Sequence, residues 1–172
     1  MFLNAAADLL ANYIGMKFIY NGDVYNTVAP AEKLITLGIY IATAHTRTLN
    51  KYFFVGMALV AGLSIWGYVK QTVPGFFHSD VFVISGFIMA ILSYIYMRQI
   101  IFNQAQPFTP LFWFSFANMI YYTMMVASIS AMPVALLISN EFAMQIHFGN
   151  DLAYIFWSTF ITFGILWNQK KP

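Results

Sequence analysis

The chain contains no cysteine. Disulfide frameworks, thiolate metal sites and thiol redox chemistry are excluded together, while either redox side of a membrane stays open. Charge is almost as scarce. Asp, Glu, Lys and Arg make up 8% of the 172 residues, against about a quarter in a soluble domain. The net charge is only +2 and no basic run occurs, so there is no phosphate footprint and no nucleic-acid partner is expected. No basic residue precedes Lys17 and no small-residue cleavage site follows the opening, so no leader is expected to be removed. Also missing are a glycine-rich phosphate loop, a zincin signature and a Gly-x-Ser-x-Gly elbow. Neither a cofactor nor an enzyme activity is predicted from motifs.

What is abundant is apolar surface. The composition is 60% hydrophobic and 19% aromatic, with a mean hydropathy of +0.68. A surface of that kind does not stay in water, and the expected solvent is a lipid bilayer. The fold class is an all-α membrane protein, read as one polytopic membrane domain over 1–172, since no linker or repeat divides the chain.

Four transmembrane helices are predicted, at about 52–69, 81–102, 110–138 and 152–167. Lys51 and Lys70 flank the first, and Asp80 and Arg98 bracket most of the second. Pro110 suits the start of the third, whereas Pro133 is expected to kink it or break its last turn. Asp151 is placed to cap the fourth. Residues 1–50 are read as an N-terminal region of one or two short amphipathic or membrane-dipping helices. Within it, 21–33 is polar and turn-like, and a helix is expected from Pro30 past His45 and Arg47. Six spans is the alternative.

Basic residues orient the spans. Lys17, Lys33, Arg47, Lys51, Arg98, Lys170 and Lys171 fall on one side and Lys70 alone on the other. Seven against one puts the first side, with the C-terminus, in the cytoplasm of a bacterial inner (plasma) membrane.

Three residue sets are candidates for recognition or chemistry. Small residues recur at four-residue spacing as Ala58 and Gly62, Gly86 and Ala90, and Ala127, Ala131 and Ala135. Such rows let helix backbones approach closely, either within one bundle or in an oligomer. Asn4, Asp8 and Asn12 share one helix face and form either a packing seam or the lining of a lumen. His78, Asp80, Glu141, His147 and Asp151 fall in two loops on the non-cytoplasmic side. They are weak metal candidates, because imidazole and carboxylate suit zinc but the spacing matches no metal motif. Solvated loop residues and helix caps are the plainer account of them.

The expected function follows from spans with no Asp, Glu, Lys, Arg or His at depth, Arg98 standing near the end of the second. Ion-coupled transporters and intramembrane enzymes place an ionisable group at depth. The first reading is therefore a polytopic protein acting by helix–helix association: a membrane-embedded subunit, or an accessory, immunity or exclusion-type factor, homo-oligomeric or bound to a membrane-protein partner. The alternative is an ion- or small-solute-conducting homo-oligomeric pore lined by the Asn4/Asp8/Asn12 stripe. A lipid-modifying membrane enzyme ranks third.

Overall fold

A computed structural model describes residues 22–44, 46–70, 78–103 and 108–169. Among them are five helices and no strand: α1 (Gly22–Thr43), α2 (Arg47–Lys70), α3 (Ser79–Asn103), α4 (Pro110–Ile138) and α5 (Asn140–Gln169). Three are long and apolar enough to cross a membrane, over Arg47–Lys70, Ser79–Phe102 and Pro110–Ile138. Packing divides the chain into two compact units, Met1–Ser85 and Gly86–Pro172, so the boundary falls inside α3.

In the first unit α1 and α2 run antiparallel. Tyr40 meets Phe53 with ring centroids 5.3 Å apart, and Thr27 Oγ1 lies 2.5 Å from the Tyr68 hydroxyl. Two expectations fail at α1. Residues 22–33 are helical rather than a turn, and the helix stops at Thr43 instead of running past Arg47. Pro30 removes a hydrogen bond to the Asn26 carbonyl, but helical stability in proteins comes mostly from packing one face. Here Asn26, Ala29, Lys33, Leu37 and Tyr40 form a buried stripe at helical spacing. Thr46 then starts α2 afresh. Its Oγ1 accepts the Leu49 N–H at 3.3 Å, satisfying a donor at the new N-terminus.

The second unit is dominated by the α4–α5 hairpin. Trp113 packs against Phe160 and Phe163, the Asn118 Oδ1 accepts the Trp157 indole N–H at 2.7 Å, and Tyr121 meets Tyr154 and Trp157. Rising numbers on α4 pair with falling numbers on α5, so the helices are antiparallel. Thr109 caps α4 with its side chain on the Phe112 N–H, and Pro110 opens the helix as expected. Pro133 does not break it. The helix continues to Ile138 and ends at Ser139, whose extended backbone donates its N–H to the Ala135 carbonyl at 3.0 Å.

Ser139 also corrects the last span boundary. Its Oγ accepts the Phe142 N–H at 3.1 Å, so α5 starts at Asn140 and Asp151 lies well inside it rather than capping it. Residues 140–151 of the segment read as a loop are helical because this cap and the packing of Ala143 and Ala153 outweigh the turn-like Gly149-Asn150-Asp151.

Candidate functional site

Lysine 33 is the one cationic side chain among the described residues that is fully enclosed, with 2% of its surface exposed. It sits in the middle of the buried stripe of α1, and α1 runs parallel to the start of α3. Two contacts set that register: Asn26 Oδ1 accepts the His78 N–H at 3.1 Å, and Lys33 Nζ donates to Ser85 Oγ at 2.6 Å. The first satisfies a donor just before α3 begins. The second is backed by the Phe82 carbonyl, 3.5 Å from Nζ, and by the Phe82 ring, whose centroid lies 3.9 Å away. A cation over an aromatic face is stabilised by about 0.5–2 kcal/mol, most where water is excluded.

Gly67 lets α2 close on this arrangement. A methyl there would lie 3.1 Å from Val81 Cγ2 and 3.5 Å from the His78 ring, so a larger residue would push the first turn of α3 away. Between the three helices remains a cleft of about 20 Å³, with Asn26, Lys33, Ser64, Tyr68, His78 and Ser85 among its walls. His78 Nε2 is buried there without a hydrogen-bond partner. No carboxylate among the described residues lies within ion-pair distance of Lys33, and the Glu32 carboxylate acts on it electrostatically from the next position in the chain. A buried charge in such a setting costs several kcal/mol unless something compensates it.

A serine hydroxyl 2.6 Å from a lysine amine is also the spacing of a nucleophile and its base. The surroundings argue against that chemistry. Ser85 lies within the helical run of α3, its Oγ donates back to the Phe82 carbonyl at 3.1 Å, and helical N–H groups around it are engaged by the helix itself. An oxyanion needs preorganised donors that are not already used, and about 20 Å³ does not admit an acyl group.

Comparison with protein-family models, with curated proteins and with solved structures finds no match. The residues themselves must therefore carry the functional reading.

The sites expected from sequence fare differently. Among the described residues no group of three or more His, Asp or Glu is placed to hold a metal ion. Asp80 lies in the first turn of α3, after Ser79, where its charge favours the helix N-terminus without capping it. His147 Nδ1 and Asp151 Oδ2 are 3.7 Å apart one turn along α5, with 70% and 62% of the side chains exposed. Such a surface pair contributes at most about 1 kcal/mol. Glu141 is exposed in the first turn of α5.

Of the small-residue rows, Gly86 and Ala135 are buried, Ala90 and Ala131 half-buried, and Ala58, Gly62 and Ala127 exposed. A methyl at Gly86 would lie 2.8 Å from Val126 Cγ2, so that row does permit a close approach within the second unit. Asn4, Asp8 and Asn12 lie outside the described residues.

Lys33 was visible in the sequence only as one of the basic residues assigned to the cytoplasmic side. It is instead enclosed beside Ser85, near the end of the helices that carries Lys70 and His78. The available signal was spacing: Ala29, Lys33, Leu37 and Tyr40 fall on one helical face otherwise made of apolar residues.

Proposed function

We propose that this chain is a multi-pass bacterial inner-membrane protein that works by packing against other membrane helices, those of a second copy in the simplest assembly. The observation that carries this reading is the uncovered face of α2. One side of that helix buries Leu49, Phe53, Gly56, Val60 and Gly67. On the other, Ala58 and Gly62 are exposed between Val55, Leu59, Ile65 and Val69, which are also exposed. A methyl at Gly62 would meet nothing within 4 Å. Lipid tails need no small residues, whereas a second helix backbone does.

In this reading α1 crosses together with α2, because the two pair antiparallel from Thr27–Tyr68 to Tyr40–Phe53. That favours the six-span count over four, and it includes α5 as a crossing. With Lys33 enclosed in the bundle, the basic residues that set orientation are Arg47, Lys51, Arg98, Lys170 and Lys171 against Lys17 and Lys70. Five against two keeps the C-terminus cytoplasmic.

Two experiments test this reading. The chain lacks cysteine, so Gly62→Cys introduces a unique thiol. Mild oxidation in native membranes should convert Gly62→Cys to a disulfide-linked dimer, while Ile84→Cys, on an exposed position of α3, stays monomeric. Equal cross-linking at both positions, or none at Gly62, would remove α2 as the contact. For orientation, reporter fusions after Lys171 and within 104–107 should both be active in the cytoplasm, and a periplasmic signal from either would reverse the topology.

A further inference from the structure

We propose that the cleft beside Lys33 is a binding site for one small monovalent anion of the size of chloride. Three observations converge on it. The Lys33 ammonium is 2% exposed and the groups in contact with it are an uncharged hydroxyl, carbonyl and aromatic ring, while the attraction of the neighbouring Glu32 carboxylate is smaller than the cost of desolvating the ammonium. The cleft next to it, at about 20 Å³, holds one guest of roughly the size of a water molecule or a monoatomic ion. On the same cleft His78 Nε2 is buried and unpartnered, and in the tautomer protonated at that nitrogen it is a second donor. An anion there neutralises the buried charge and gives the imidazole its missing bond, which a neutral guest does only in part. Phosphate and sulfate are excluded by size. The site lies wholly within the first unit, so it stands independently of the contact proposed for α2.

Ligand binding to the folded state raises the melting temperature with the logarithm of one plus the ligand concentration over its dissociation constant. The test is therefore a melt of the full-length protein in detergent, with sodium chloride exchanged for sodium gluconate at constant ionic strength. Wild type should melt about 2–4 °C higher once chloride reaches about five times its dissociation constant. Lys33→Met should show no chloride dependence, and His78→Ala should need more chloride for the same rise. A wild-type melt indifferent to chloride overturns the proposal and leaves the cleft to water. The same chloride response in Lys33→Met overturns it too. If Lys33→Met gives no cooperative melt, chloride-35 NMR of wild type decides. Excess line broadening that bromide removes supports the site, and its absence eliminates it.

Discussion

Gly164→Ala should destabilise the protein by about 1–2 kcal/mol although alanine is the better helix former. A methyl at Gly164 would lie 2.5 Å from Trp113 Cβ and 2.9 Å from Trp113 Cγ. The Cβ atom is fixed to the backbone of α4, so the indole cannot rotate out of the way and the two helices must move apart. Trp113 is further held by Phe160 at 6.2 Å and Phe163 at 5.1 Å, and separating the helices loosens both contacts. Overpacking of this kind costs about 1–3 kcal/mol, and sometimes more. It offsets the gain of up to about 1 kcal/mol from replacing glycine in a helix. Gly149→Ala is the control in the same helix: its methyl would meet nothing within 4 Å, so it should keep that gain. Thermal unfolding in detergent should therefore move the two variants in opposite directions. A Gly164→Ala protein as stable as Gly149→Ala would show that α4 and α5 are not held this close.

Lys33→Met should raise stability, by about 1–3 kcal/mol in chloride-free buffer. Methionine is close to lysine in length, it fills the same space between α1 and α3, and its sulfur is favourable beside the Phe82 ring. What is lost is the bond to Ser85, whose hydroxyl keeps its partner in the Phe82 carbonyl. Also lost is the attraction of Glu32, but what is removed is the larger desolvation of the ammonium, and apolar replacement of buried charge is commonly neutral or stabilising. In saturating chloride the advantage over wild type should shrink, because the anion has already compensated the charge. A variant less stable than wild type in chloride-free buffer would mean that the hydroxyl and ring contacts outweigh the cost of burial.

Why was Lys33 hidden while the long apolar helices were plain? Tyr52–Val69 and Val81–Met97 are uninterrupted, so length alone separates them from their surroundings. The structure extends both at each end, to Arg47–Lys70 and Ser79–Asn103. The misread segments share another property. In 22–33 and 139–151, Asn, Asp, Gly and Pro favour turns locally, yet tertiary contacts decide the outcome: Asn26 on His78, and Ala143 and Ala153 in the second unit's core. Lys33 lies in one of those segments. A basic residue there reads as solvated until the neighbouring positions Ala29, Leu37 and Tyr40 are found to be buried with it. The cleft itself had no sequence signature, because Asn26 and Lys33 come from α1, Ser64 and Tyr68 from α2 and His78 from just before α3, and they form no motif.

The single residue between α4 and α5 has a consequence for how the chain is made. Ser139 ends one helix and caps the next, so no slack separates them. Closing so short a connection costs little chain entropy, and contacts between sequence neighbours form fast. The Asn118–Trp157 bond and the Trp113–Phe163 contact can thus form once the last helix has left the ribosome, with no other segment required. If α5 crosses the bilayer as proposed, α4 and α5 enter it as a preassembled pair, with the Asn118 amide and Trp157 indole already bonded to each other. A serine-to-glycine change at 139 should slow that pairing, and a synthesis-arrest assay would register the delay as a weaker pulling force on the nascent chain.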